Sequence, residues 1–353
     1  MALMVGISGI RGIIGETLTP ALAAEFAQAY GTYLGGGRLV IGRDTRPSGQ
    51  MFAAAATSGL LAAGCEVVDL GLVMTPTIGR AIPDGGYDGG MMITASHNPS
   101  QWNGLKFLSS RGVAPEQEQA RAIADIFYKK TFRQETHTFK PLIHDDQAGE
   151  RHAEAVLKAL DTPIASLKGM RVVLDSVNGA GCLTSPGFLA RLGCELTHVN
   201  GEPTGVFAHT PEPIEENLGQ LCDAVRSANA DVGFAQDPDA DRLAIVDETG
   251  RFIGEEFTLA LATQFVLSHR PGPVAANLST SRMIDAVAAR FGVKVVRTPV
   301  GESNVAHGVL DNECVLGGEG NGGVIDPRVT LVRDSLSAMS FVLQLAAETG
   351  KTI

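Results

Sequence analysis

The sequence predicts an α/β protein of three similar α/β domains, with mixed, mostly parallel sheets flanked by helices and an active-site cleft at their junction. Three observations predict it: a strand–helix–strand unit occurs three times, each copy runs on into a third apolar strand, and each third strand ends in a loop dense in special residues. The first strands span 38–42, 171–175 and 273–277. Each precedes a helical stretch ending at Gly64, Gly193 or Gly292, the residue type that most readily closes a helix in the left-handed conformation. The second strands open with Cys65-Glu66-Val67-Val68, Cys194-Glu195-Leu196-Thr197 and Val293-Lys294-Val295-Val296. A helix between two strands implies parallel pairing, because parallel neighbours need a crossover of that size. In the third copy Ile284, Val287, Ala288 and Phe291 fall at helical spacing behind Ser281, the expected N-cap.

The third strands, 91–94, 231–235 and 314–316, lead into Ala95-Ser96-His97-Asn98-Pro99, Gln236-Asp237-Pro238-Asp239-Ala240-Asp241-Arg242 and the glycine-rich run 317–323. Ligands of open α/β sheets bind beyond the carboxyl ends of strands, so three equivalent strand ends facing one cleft would gather three loops at one site. Polar stretches at 129–150 and 247–256 separate the units, which gives expected domains of 1–148, 149–252 and 253–353. An N-terminal helix behind Thr19-Pro20 places Leu22, Phe26, Tyr30 and Tyr33 on one face, and a final helix starts near Asp334.

Composition narrows the partners. With 353 residues, 44% of them hydrophobic and 19% charged, the chain has ample material for packed cores. Its net charge of −11 offers no general attraction to nucleic acid or anionic membrane. The longest alanine-rich stretch is broken by Ser58, Gly59, Gly64 and Glu66, too soon to span a bilayer, and the opening residues do not resemble a signal peptide. Five cysteines, an odd number without a CxxC pair, argue against a disulfide framework or zinc knuckle, so a reducing cytoplasm is expected.

Asp237, Asp239 and Asp241 alternate with Pro238 and Ala240, so an extended loop would point their carboxylates to one side, toward a shared hard cation. The bland alternative is a solvated acidic turn. An EF-hand is excluded by Arg242 at the sixth loop position, which favours Mg²⁺ over Ca²⁺. Ser96 and His97 are either ordinary turn chemistry or a reactive hydroxyl beside an imidazole, although sequence neighbours rarely face each other. Lys106 is a solvated lysine or, if burial lowers its pKa, an acid or base. The run 317–323 formally matches GxGxxG, but no helix is plausible directly after it. Glu319 and Asn321 among five glycines instead suit a loop that approaches a polyhydroxyl ligand closely, or else a flexible hairpin. Gly350-Lys351-Thr352 mimics a Walker A ending, but Leu345 stands where glycine is required. Arg11, between glycines, and the segment 43–49 are ordinary turns unless Arg11 donates to a phosphoryl group near Ser96.

Together these residues resemble the α-D-phosphohexomutase family, whose members include phosphoglucomutase, phosphomannomutase and phosphoglucosamine mutase. The resemblance covers nearly the whole chain: 94–99 is similar to the phosphoserine loop, 237–242 to the magnesium loop and 318–323 to the sugar-binding loop. It implies that Ser96 carries the phosphoryl group and that Ser96, Asp237, Asp239 and Asp241 hold Mg²⁺. It assigns phosphoserine contacts to Arg11 and His97, acid/base work to Lys106, an active-site role to Arg242, and substrate binding to Glu319, Asn321, Gly318 and Gly301. The implied reaction interconverts hexose 6-phosphate and hexose 1-phosphate through a hexose 1,6-bisphosphate, with phosphoglucosamine mutase the first expectation and phosphomannomutase or phosphoglucomutase the alternative. Two dianionic phosphates ~5 Å apart at an effective dielectric of about 20 repel by on the order of 13 kcal/mol, so such a site needs the cation together with Arg11, Lys106 and Arg242. The expected partner is a small-molecule sugar phosphate, with no nucleic acid and no membrane, and a homodimer is compatible with the sequence.

Two departures stand out. Gly320 occupies a position where relatives commonly carry a larger residue, and the family's fourth, phosphate-gripping domain is expected to be absent from this chain. Remote binding energy supports catalysis, so a catalytically incomplete sugar-phosphate-binding protein is the alternative from another class. A nucleotide-dependent dehydrogenase would need cofactor binding at 318–323.

Overall fold

The computed structural model describes residues 3–353. The chain opens with β1 (Met4–Gly6), β2 (Gly9–Ile13) and α1 (Pro20–Tyr33). It continues through β3 (Arg38–Arg43), α2 (Gly49–Ala62), β4 (Glu66–Leu72), α3 (Thr75–Gly85), β5 (Gly89–Ile93), β6 (Trp102–Ser109), α4 (Gln117–Lys129) and β7 (Leu142–His144). These strands form a sheet of order β1-β2-β6-β5-β3-β4-β7. The second unit comprises α5 (Ala148–Lys158), β8 (Arg171–Asp175), α6 (Gly181–Arg191), β9 (Glu195–Val199), α7 (Gly219–Ala228), β10 (Val232–Gln236) and β11 (Leu243–Val246), in sheet order β11-β10-β8-β9. The third comprises α8 (Glu255–His269), β12 (Val274–Asn277), α9 (Met283–Arg290), β13 (Val295–Thr298), α10 (Glu302–Asp311), β14 (Leu316–Glu319), β15 (Gly323–Ile325) and α11 (Ser335–Thr349), in order β13-β12-β14-β15.

The three units repeat one pattern. The first strand (β3, β8 or β12) pairs in parallel with the second (β4, β9 or β13) and the third (β5, β10 or β14). The third then turns through its loop and returns antiparallel as β6, β11 or β15. Every candidate loop is therefore the corner between a parallel strand and its antiparallel return. Gly64, Gly193 and Gly292 follow their helices at φ of 82°, 80° and 67°, as expected of glycine stops.

Local details follow side-chain chemistry. Thr19 caps α1 by accepting from the Leu22 N–H, and Asp334 caps α11 by accepting from Leu336 and Ser337. Ser281 is not the cap of α9. Arg282 occupies that position, and the Ser281 hydroxyl accepts from the Met283 N–H at 3.3 Å from one residue upstream. The glycine run is shorter as a loop than its composition suggests, because Gly317, Gly318 and Glu319 belong to β14 and only 320–322 form the turn. Packing explains this: a Cβ on Gly317 would lie 2.5 Å from Val309 Cγ2, and one on Gly318 would lie 2.4 Å from Leu259 Cδ1.

Two apolar clusters fill the first unit, one around Phe26, Tyr30, Ile41, Phe52 and Phe107 and one around Val40, Ile78, Ile82 and Met92. Another runs unbroken through the second and third units, where Phe188, Phe234, Phe265 and Phe341 share a cluster. Helix α11 lies in that shared core, buried from Ser335 through Gln344, which ties the corners of the second and third units to one support. All five cysteines are free. No helix among the described residues is long and apolar enough to cross a membrane.

Candidate active site

The first corner presents Ser96, 2% exposed and held at φ 50°, a left-handed conformation that residues other than glycine rarely adopt. Thr94 pins it: the Thr94 hydroxyl accepts from the Ser96 N–H at 2.9 Å and donates to Asp44 at 2.6 Å. The Ser96 hydroxyl donates to Asp237 Oδ2 of the second unit at 2.9 Å. It also lies 3.4 Å from His97 Nδ1, so these sequence neighbours do face each other, because the left-handed turn brings both side chains to one side.

The second corner is not the extended loop expected from alternation. The Ala240 N–H closes a turn on the Asp237 carbonyl at 2.9 Å with Ala240 itself at φ 54°, and Asp237 Oδ1 accepts from the Asp241 and Arg242 amides at 3.1 and 3.2 Å. The curl brings one oxygen from each of Asp237, Asp239 and Asp241 within 4.8 Å of the others, and all three residues are fully buried. Such a cluster demands positive charge. Lys106, projecting from β6, places Nζ 2.7 Å from Asp239 Oδ2 and 3.3 Å from Asp241 Oδ2. Arg333 reaches Asp241 Oδ2 at 2.6 Å, and Thr75 donates to Asp239 Oδ2 at 2.5 Å.

These neighbours set the ionisation states. Burial and the adjacent Asp239 and Asp241 charges raise the Asp237 carboxyl well above the ordinary carboxylate range. Burial opposes ionisation of Asp239 and Asp241 as well, but Lys106 holds the first below its usual value and Arg333 does the same for the second. Burial likewise works against a charged Lys106, yet Asp239 and Asp241 outweigh it and raise the ammonium pKa. The conditional expectation of a burial-lowered lysine is thereby corrected. His97 moves the other way: burial, then Arg242 and Arg11, lower it to about 4 and keep the ring neutral near pH 7.

Arg11 on β2, opposite Gly104 of β6, donates to the Asn98 side chain at 2.8 Å, and Arg242 lies 3.9 Å from Asp241. The structure thus gathers Ser96, His97, Arg11, Lys106, Arg242 and the three aspartates. The third corner joins them through Arg333, whose other nitrogen donates to Glu319 Oε2 at 2.6 Å, while Asn277 donates to Glu319 Oε1 at 2.6 Å. The Asn321 side-chain oxygen is buried without a partner. A Cβ at Gly320 would meet Glu256 Oε1 at 2.5 Å, so a larger residue there requires the Glu256 carboxylate to move. Gly301 caps α10 at φ 125°, one residue before Glu302, whose carboxylate accepts from the Arg333 amide at 3.2 Å. Gly318 is walled in by Leu259 and the Gly323 carbonyl. No side chain larger than hydrogen fits at this position without displacing them.

Comparison with known proteins agrees with this arrangement along the whole chain. Residues 2–134, 150–250 and 254–353 match the models of Phosphoglucomutase/phosphomannomutase, alpha/beta/alpha domains I, II and III. The chain belongs to the phosphoglucomutase/phosphomannomutase family. These phosphohexomutases are isomerases that act as intramolecular phosphotransferases. A Methanopyrus kandleri protein named "Probable phosphoglucosamine mutase" is 41% identical over 350 residues, an alignment covering 99% of this chain and 77% of that protein. A Thermococcus kodakarensis phosphoglucomutase/phosphomannomutase is 39% identical, with 99% and 78% covered. The crystal structure of a Thermus thermophilus protein described as a candidate phosphomannomutase superposes with a TM-score of 0.91 at 32% identity, covering 99% of this chain and 81% of that one.

The family's metal requirement can be tested against the phosphohexomutase site itself. Asp239 Oδ1 and Asp241 Oδ1 are buried without hydrogen-bond partners, and the ligand set is all oxygen. That is the donor chemistry of a hard divalent cation, so the residues fit one. Sequence reasoning missed Arg46, Thr75, Glu302 and Arg333. Arg46 stood inside the segment 43–49 directly after a first strand, a position that was itself a signal. Arg333 and Thr75 carry no motif, and only the fold brings them to the aspartates.

Proposed function

We propose that this chain interconverts hexose 6-phosphate and hexose 1-phosphate through phosphoSer96 and a hexose 1,6-bisphosphate, with glucosamine phosphate as the preferred substrate. The observation that carries the reading is the buried Ser96 hydroxyl donating at 2.9 Å to Asp237 of the three-aspartate cluster. In the first half-reaction the bond between phosphorus and Ser96 Oγ breaks, and a bond from phosphorus to a sugar hydroxyl forms. The proton lost by the attacking sugar hydroxyl is balanced by one gained at the departing Ser96 Oγ, which is thereby restored as the hydroxyl that accepts the return transfer.

Asp237, Asp239, Asp241 and phosphoSer96 would hold Mg²⁺, which supplies charge neutralisation for the phosphoryl in flight. Lys106, kept protonated by its carboxylate neighbours, serves as a charged donor and general acid. His97 stays neutral and Arg11 charged, so the pair can orient phosphoryl oxygens by hydrogen bonds. Glu319 and Asn321 would read sugar hydroxyls. The name of the Methanopyrus kandleri relative, a probable phosphoglucosamine mutase, supports the glucosamine assignment. Domains taken at 1–148, 149–252 and 253–353 would each contribute one loop.

The test is mass spectrometry of the Ser96 peptide after incubation with Mg²⁺ and hexose 1,6-bisphosphate, then with glucosamine, glucose or mannose 6-phosphate. Phosphate gained from the bisphosphate and removed fastest by glucosamine 6-phosphate is the expected result. Preferential removal by another sugar moves the substrate assignment. A Ser96 that never accepts phosphate overturns the transfer reading.

A further inference from the structure

Arg46 is one of the largest fully buried side chains of the protein, 1% exposed, and every one of its guanidinium N–H groups has an acceptor. Nε donates to Asp44 at 3.0 Å, Nη1 to the carbonyls of Pro99 and Trp102 at 2.8 and 3.1 Å, and Nη2 to those of Ser96 and Asn98 at 2.5 and 2.6 Å. Three carbonyls of the Ser96 loop and that of Trp102 at the start of β6 are thus drawn toward a single buried cation. In a trans peptide the N–H points opposite to the carbonyl. Turning the Ser96 carbonyl toward Arg46 therefore turns the His97 N–H away from it, and that N–H has no acceptor among the described residues. Turning the Asn98 carbonyl inward strands no donor, because the following residue is Pro99, which has no N–H.

We infer that Arg46 is a positioning residue that converts the Ser96 loop into a backbone oxyanion cradle, with the His97 amide donating to the phosphoryl carried on Ser96. The amide of the residue after a nucleophile is separated from it by only a short covalent path, and acyl-transfer hydrolases use such an amide in the same way. A lysine at position 46 would keep the charge but could not hold the acceptors in a planar fork. Ser96 would then be free to leave its left-handed conformation and the His97 amide to rotate. The inference rests on the phosphoSer96 reading, and its test separates the two.

The experiment compares wild type with Arg46→Lys in three measurements. The His97 amide proton is followed by NMR before and after Ser96 is phosphorylated with hexose 1,6-bisphosphate, Mg²⁺ affinity by calorimetry, and phosphoryl transfer to hexose 6-phosphate under single-turnover conditions. Phosphorylation should move the wild-type His97 amide downfield. In Arg46→Lys that movement should vanish and transfer should slow about a hundredfold, the usual cost of one oxyanion donor, while Mg²⁺ affinity and KM stay within about twofold of wild type. Transfer at the wild-type rate in Arg46→Lys overturns the proposal, as does parallel loss of Mg²⁺ binding, which would mark a merely structural role. If Arg46→Lys does not fold, the wild-type amide still decides: an unmoved His97 signal on a phosphorylated chain overturns the cradle alone. Failure of wild-type Ser96 to accept phosphate overturns the transfer reading and the cradle with it.

Discussion

Arg333→Met gives a quantitative test of how the acidic site is balanced. The Arg333 side chain is 7% exposed, with nitrogens 2.6 Å from Asp241, 2.6 Å from Glu319 and 3.4 Å from Glu302. Burial disfavours its charge, but Asp241, Glu302 and Glu319 outweigh that and keep it protonated. Methionine fills much of the stem volume but leaves three carboxylates without their shared cation. Removing one partner of a buried ion pair typically costs about 3–5 kcal/mol, a large share of the roughly 5–15 kcal/mol that holds a domain folded. The assay is urea unfolding of wild type and variant, each without divalent cation and with Mg²⁺ at about one hundred times its own Kd. Ligand linkage alone adds about 2.7 kcal/mol to any protein at that excess, so the informative quantity is affinity. Asp241 relieved of its competing guanidinium should bind Mg²⁺ more tightly, and the variant's Kd should fall below that of wild type. A stability loss under about 1 kcal/mol, in the range of exposed pairs, would refute the claim that Arg333 is an essential buried counterion. An unchanged or raised Kd would refute its competition with the metal.

Other expectations follow from single contacts. Asp239→Asn removes an anionic candidate ligand and should weaken Mg²⁺ binding by at least about a hundredfold, the upper end of the ~10–100-fold typical of outer-shell losses, measured by calorimetry. Gly205 sits at φ 68° against the first unit, where a Cβ would lie 1.9 Å from the Thr45 carbonyl. Gly205→Ala should therefore destabilise the contact between the first two units by about 1–3 kcal/mol, visible as faster proteolysis between them. His209 Nε2 donates to Asp175 Oδ2 at 3.1 Å; burial opposes its charge, but the Asp175 hydrogen bond and charge raise its pKa. A raised histidine stabilises fully below its unfolded value near 6.5 and loses that contribution as pH climbs through the folded value. The stability difference between wild type and His209→Gln should therefore be largest near pH 6 and shrink toward pH 8, and a difference that grows with pH would contradict the assignment.

The repeats and their loops were legible because each is contiguous: apolar strands, a glycine stop and a polar corner sit next to one another in sequence. Asp237, Asp239 and Asp241 could be assigned to one cluster from spacing alone. Their geometry could not, because the extended reading assumed ordinary backbone at Ala240, whereas the turn needs that residue left-handed. The charge state of Lys106 was illegible for a different reason. Burial and ion pairing push a lysine in opposite directions, and which prevails depends on Asp239 and Asp241, over a hundred residues away and reached only through the fold. Glu319 was found as a polar residue among glycines, but its tie to Arg333 and Asn277 was not. The packing of Gly318 against Leu259 was likewise invisible, because the two residues meet only through the fold.

The contacts that assemble the site also connect the units. Ser96 and Lys106 of the first unit reach Asp237, Asp239 and Asp241 of the second, and Arg333 reaches the same cluster from the third. The aspartate corner is thus the hub, and it is fixed to the third unit by the core shared around α11. Contact with the first unit adds polar groups to apolar ones, with Met74 in the shared core and Thr75 bonding Asp239 through both its amide and its hydroxyl. Displacing the first unit from this hub separates Lys106 from the aspartates and Ser96 from Asp237 together. A cation at the hub would compete with Lys106 for Asp239 and Asp241, so metal binding and the position of the first unit are expected to be coupled. Small-angle scattering of wild type and Lys106→Met, each with and without Mg²⁺, tests this directly. Loss of Lys106 should make the profile more dependent on Mg²⁺, and superimposable profiles in all four states would show that the apolar contacts alone fix the arrangement.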